Sequence, residues 1–201
     1  MKTLLISFTS LCLFLAFAYN TFSYPPGVGI LTKSKSCMSC HVNNGPWADD
    51  EKTIIDIIDK ETMKSIRQTD GTFLIEVIRG KQKTFLTVIG RTSGDKEAPP
   101  NRNAWIYIDP TRIESDELSK FASGWDVNLM LSCRLVGDKL SGFEGAMITA
   151  LPMTIQPLSD AKDSELQLQL MMTKGESVKG KPKEGMIGNY YERKVKLKVI
   201  K

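Results

Sequence analysis

The chain has 201 residues, with 27 Lys and Arg against 23 Asp and Glu, for a formal net charge of +4. A content of 41% hydrophobic and 25% charged residues is that of a globular protein, neither disordered nor many times membrane-spanning, and so small a net charge gives no case for nucleic-acid binding. One His in the whole chain excludes a multi-His metal centre, a pair of His acid/base groups and a haem held by two His ligands of this chain.

At the N-terminus, Lys2 precedes an apolar run from Leu4 to Ala18 that is broken only by Ser7, Thr9 and Ser10. This is the pattern of a secretory signal, a little short for a membrane span. Ala16-Phe17-Ala18 and Thr21-Phe22-Ser23 offer small-x-small cleavage sites, so residues 1–23 are expected to be an export signal cut after 18 or 23. The mature protein, 24–201, is then expected in the periplasm or an equivalent compartment, with no membrane span. Cys12 leaves with the signal. Cys37, Cys40 and Cys133 remain, an odd number that does not make a closed disulfide framework.

After the loop-like stretch Tyr24-Pro25-Pro26-Gly27-Val28-Gly29 comes Cys37-Met38-Ser39-Cys40-His41, a C-x-x-C-H motif. Two thiols at this spacing can each add to a vinyl group on one edge of a porphyrin, and the adjoining His can turn under the ring to ligate its iron. A thioredoxin-like dithiol would follow a strand and open a helix, and a zinc site would need a further ligand that no neighbouring residue supplies. Through Cys37, Cys40 and His41 the chain resembles the bacterial monohaem c-type cytochromes. That resemblance implies one covalent haem c, with thioethers at Cys37 and Cys40 and His41 as an axial ligand. The all-helical cytochrome c fold is not implied, because Pro and Gly stand where its first helix would be and strands follow the motif.

Beyond the motif, Gly45-Pro46-Trp47 reads either as a Trp stacked on the haem edge or as a turn with a packed Trp. Asp49-Asp50-Glu51 reads as a solvated acidic loop, with calcium binding as the alternative. Ile54–Ile58 reads as a strand. Phe73–Ile78 and Thr84–Ile89 are β-rich runs joined by a Gly-containing loop, the pattern of a hairpin. Ala104–Ile108 is a further strand stopped at Asp109-Pro110, and Glu114–Ala122 is the best helix candidate.

From Trp125 to Leu135 apolar and polar residues alternate, so one strand is expected, with Trp125, Val127, Leu129, Leu131, Cys133 and Leu135 on one inward face. Cys133 is then either a small buried core thiol or the sixth ligand of the iron. With no second His, the other candidates for that position are the Met residues outside the motif, a Lys, the N-terminal amine, water or an open site. A thiolate would hold the potential low and a Met would raise it. Given Cys133, the chain also resembles the small heterodimeric, NO-binding His/Cys cytochromes of anaerobic ammonium-oxidising bacteria. This implies a haem-bearing partner chain, as hetero- or homodimer, and docking to a larger multihaem redox enzyme.

Past the turn at Val136–Lys139, a strand is expected within 140–153. Leu166–Met172 and Lys194–Val199 alternate and should pair around loop 174–188, whose Lys174, Lys179, Lys181 and Lys183 offer a patch for an acidic redox partner. Six to eight strands with turns between them argue for an antiparallel β-sandwich with little helix, in which 24–52 is the haem-attachment segment and 53–201 the body. The metal ligands expected are His41 and Cys133. The function expected is electron transfer, binding of NO or CO, or both, rather than catalysis. The alternative is a haem enzyme or accessory subunit with a Met-ligated or open site.

Overall fold

The structure is a computed structural model, and it describes residues 42–92, 102–108, 124–129, 132–175, 181 and 184–201. Nine strands run through them: β1 Thr53–Asp59, β2 Phe73–Ile78, β3 Lys83–Thr92, β4 Arg102–Ile108, β5 Trp125–Leu129, β6 Ser132–Leu135, β7 Ala146–Pro157, β8 Ser164–Gly175 and β9 Met186–Ile200. They form a four-stranded sheet in the order β1-β3-β7-β5 and a five-stranded sheet in the order β2-β9-β8-β4-β6. Ile57, Phe85, Leu151 and Ile155 of the first sheet share one buried core with Phe73, Ile75, Leu168 and Val195 of the second. The molecule is therefore a β-sandwich, as the alternation of its strands predicts. Each such side chain taken fully from water contributes about 1.5–3 kcal/mol.

The alternating runs 166–172 and 194–199 do pair, antiparallel, with Leu166 opposite Val195 and Lys174 opposite Ile187. Ile54–Ile58 is a strand, within β1. Two expectations fail because the chain changes sheets at short connections. The runs 73–78 and 84–89 are strands but not a hairpin: β2 pairs parallel with β9, whereas β3 lies antiparallel between β1 and β7. Gly80, at φ 73°, turns the chain across the edge of the sandwich, and its amide donates to Pro157 O. The stretch from Trp125 to Leu135 is likewise two strands. β5 pairs with β7, and β6 pairs with β4 in the opposite sheet. Alternation reports burial on one side of a strand, which is the same signal in either sheet of a sandwich.

The second buried cluster, Ile58, Val88 and Ile148, lies on the other face of the four-stranded sheet, where Leu140 and Phe143 of the β6–β7 connection pack over it. The expected signal peptide and the expected helix at 114–122 lie outside the described residues. Among those described, one 3-10 turn, Asp50–Lys52, is the only helical element, and no helix is long and apolar enough to cross a membrane.

β3 and β7 approach closely at Gly90, where a Cβ would stand 2.0 Å from Met147 O and 2.7 Å from Ile148 Cα. Both neighbours are backbone in a central ladder and cannot move aside. Gly90→Ala should therefore destabilise the protein by about 1–3 kcal/mol, read as a lower urea midpoint with an unchanged slope.

Candidate functional site

The described chain begins one residue after His41, and what holds it there is specific. Asn43 forms a parallel bridge with Gly188 of β9. The Asn44 amide donates to Gly188 O at 2.7 Å, the Gly188 amide returns a bond to Asn44 Oδ1 at 3.0 Å, and the Tyr190 amide donates to Asn43 Oδ1 at 3.2 Å. Two Asn side chains thus finish hydrogen bonds that a short strand could not make with its backbone alone. Gly45 follows where a Cβ would fall 1.9 Å from Asn189 Oδ1.

Residues 43–52 then cross from the five-stranded sheet to β1 of the four-stranded one and close that end of the sandwich. Trp47 is buried in the shared core. The Arg91 guanidinium lies 5.1 Å from its ring centroid and the Lys174 ammonium 4.7 Å, a cation–π arrangement in which the ring meets two charges. Arg91 is 2% exposed. It is ion-paired with the Asp49 carboxylate and donates to Asp49 O at 2.9 Å. That hydrogen bond, with the Arg91 and Lys174 charges, holds the Asp49 carboxyl below its ordinary value of 3.8.

Next to it, Asp50 accepts from Asn189 Nδ2 at 2.8 Å, from Thr53 Oγ1 at 3.3 Å and from the Tyr191 hydroxyl. Burial first, and then the Asp50 carboxylate, push the Tyr191 hydroxyl well above the usual tyrosine range. The acidic run 49–51 is therefore not a solvated loop at Asp49 and Asp50. Among the described residues, no three His, Cys, Asp or Glu side chains gather for a metal. Trp47 is a packed core residue, the second of its two expected roles.

Cys37, Cys40 and His41 lie outside the described residues. Cys133 lies within β6, at the edge of the five-stranded sheet, and the register sets it opposite Trp105, which is opposite Met171, which is opposite Tyr190. The neighbouring row of β8, Leu166, Leu168, Leu170 and Met172, is the one that enters the inter-sheet core. Position 133 thus belongs to the face turned away from that core. The expected inward face shared with Trp125 and Val127 does not exist, because those residues are in the other sheet.

That outer face divides in two. Towards Glu165 it is charged and exposed, and its lysines are paired: Lys194 with Glu165 at 3.1 Å, Lys196 with Asp70 at 3.1 Å and Lys198 with Glu76 at 2.7 Å. Towards Gly175 it is buried: Gln169 is 4% exposed, Met171 0% and Thr173 2%. A Cβ on Gly188 would lie 2.5 Å from Val42 O and 2.8 Å from Met171 Sδ, so the backbone next to His41 and this buried sulfur meet across one glycine. Periodicity did not mark this patch, since 166–172 is apolar on one face and polar-plus-Met on the other. Of the expected lysine patch, Lys174 lies on Trp47, Lys181 pairs with Glu184 at 3.1 Å, and Lys179 and Lys183 are outside the described residues.

No protein-family model and no curated protein matches the chain. Among solved structures, the major subunit of aggregative adherence fimbriae type I from Escherichia coli aligns over 80% of this chain and 99% of its own, at 11% identity and a TM-score of 0.34. AvmM, which catalyses macrocyclization in alchivemycin A biosynthesis, aligns over 73% of this chain and 89% of its own, at 9% identity and a TM-score of 0.27. Likenesses this slight carry no argument about function.

Arg91→Met should cost about 2 kcal/mol at neutral pH, because it takes from Asp49 its closest cation and a hydrogen-bond donor. The pH dependence separates this from lost packing. Asp49 has a depressed folded pKa, so its contribution is present above about 3.8 and is lost as pH falls through the folded value. Urea midpoints of wild type and variant should converge on acidification below that range. A constant gap would assign the cost to packing.

Proposed function

We propose that this chain is an exported monohaem c-type cytochrome, with haem c bound covalently at Cys37 and Cys40, His41 as one axial ligand and Cys133 as the other. It acts in one-electron transfer, in binding a diatomic gas such as NO or CO, or in both. The observation that carries the reading is the C-x-x-C-H motif built on the only His of the chain. One structural feature supports it: Val42, the next residue, is fixed to the rim of β9 by the Asn43 and Asn44 bonds, and its carbonyl closes on Gly188 beside Met171. Cys133 shares the register row of Met171, on the same face.

The haem supplies a one-electron couple and a site for gases. The chain's own part is to hold it and set its ligands. A Cys133 thiolate donates charge and favours the ferric state, so the potential is low. The part Cys133 itself would play is to hold or take up a proton at its sulfur, a thiol being a weaker ligand than a thiolate, and the haem would supply the gas site. The redox partner is a larger enzyme, or a second small cytochrome in a dimer with this one. A second reading, with Met171 as sixth ligand and a higher potential, is favoured by the position of its buried sulfur beside Gly188.

Absorption and EPR spectra of the purified protein and of Cys133→Ala decide between them. Thiolate-type low-spin ferric features should be present in the wild type and lost in the variant, and the reduced wild type should bind CO. An unchanged variant would transfer the assignment to Met171. Absence of covalent haem from the wild-type protein, matured in a host able to attach it, would end the cytochrome reading.

A further inference from the structure

We propose that one buried water molecule is part of this fold, held in a small cavity beside Trp47 at the closed end of the sandwich, where it accepts the hydrogen bond of the Trp47 indole N–H. The site owes nothing to the C-x-x-C-H motif and stands whether or not a haem is carried there.

Trp47 is 9% exposed and packed in the shared core, and its Nε1 is buried without an acceptor among the described residues. A buried donor left in that state costs about 1–3 kcal/mol, and buried polar groups are for that reason nearly always hydrogen-bonded. What stands over the ring cannot make the bond. The Arg91 guanidinium at 5.1 Å and the Lys174 ammonium at 4.7 Å carry donors only. The acceptor has to be something that fits beside the ring.

A cavity of about 10 Å³ gives it the room, with walls that include Trp47, Arg91, Val136, Met147 and Met172. That is the space one water needs, and too little for a phosphate or a carboxylate. The two cations over the ring disfavour a metal ion. A void lined by Val and Met alone would stay dry. Here the indole N–H and the Arg91 guanidinium, a second group that carries donors only, make the wall polar on one side. A water in this place joins the end segment, through Trp47, to β3 at Arg91.

Trp125 provides a matched control. It is 0% exposed, and its Nε1 donates to Lys162 O at 2.7 Å, so this indole is satisfied by the protein itself. The test is a crystal structure of the mature protein at a resolution that shows ordered water, together with water-selective NOE and ROE spectra of the 15N-labelled protein in solution.

In the crystal, one oxygen should stand about 2.7–3.2 Å from Trp47 Nε1, and no water should stand in that range of Trp125 Nε1. In solution, the Trp47 indole proton should give a water cross-peak whose sign in the ROE spectrum is that of dipolar contact rather than of proton exchange, and Trp125 should give none. Trp47→Phe and Trp125→Phe assign the indole signals. If Trp47→Phe does not fold, Trp105→Phe and Trp125→Phe leave the Trp47 signal by elimination, since the mature chain has these three Trp. A dry cavity in the crystal, or a Trp47 proton with no water contact in solution, would overturn the proposal. An anomalous peak in the cavity from crystals soaked in bromide would assign the place to a halide and overturn it as well.

Discussion

The contact between Arg91 and Trp47 is what the rest of this molecule leans on. A sandwich of two sheets is open at its ends, and at one end a single guanidinium is 2% exposed among core residues. A charge in that position is tolerable only with close partners of opposite charge or matching polarity. Asp49 meets it with a carboxylate and a carbonyl, and Trp47 with the face of its ring. Because those partners stand two residues apart on the same short segment, satisfying Arg91 also pins residues 43–52 across the end of the sandwich. The adjoining bonds of Asp50 to Asn189, Tyr191 and Thr53 tie the same segment to β9 and β1. Electrostatics and packing share one device here, and the segment that follows the C-x-x-C-H motif is ordered by it.

This has a bearing on the proposed haem. A cofactor on a loop is only as well placed as the loop, and sites on rigid elements hold geometry better than sites on free segments. The motif is followed, within two residues, by a bridge to the longest strand of the larger sheet. The same strand carries Gly188, the contact between Val42 and Met171. Val42 and the buried Met171 are then both referred to β8 and β9, whose ladder runs unbroken from Ser164 to Gly175.

Much of the fold was legible because the period of two is hard to hide. Leu166–Met172 and Lys194–Val199 declared both their strand character and their pairing, and Ile54–Ile58 its strand. What remained hidden was which sheet each strand joins. Phe73–Ile78 with Lys83–Thr92, and Trp125–Leu129 with Ser132–Leu135, are neighbours in sequence that separate into opposite layers. An inward residue has the same character on either side of a shared core. The C-x-x-C-H pattern is legible from five residues whatever the fold, and its Cys37, Cys40 and His41 lie outside the described residues. The anchoring of that motif was not. Asp49, Asp50, Asn43 and Asn44 look like any polar loop, and only the partners they meet, Arg91, Tyr191 and Gly188, distinguish them. The buried polar side of β8 was masked by its own apolar side.

β9 is the last of the nine strands, yet it lies inside its sheet, with β2 along one edge and β8 along the other, and Asn43 bridges to it as well. The five-stranded layer therefore has a gap in its middle until this strand arrives, however early β2 and residue 43 are made. Residue 43 likewise has no strand to bridge before β9 is in place, so the segment that follows the C-x-x-C-H motif is among the last parts of the fold to be fixed, and the order of the strands makes the C-terminus the closing piece.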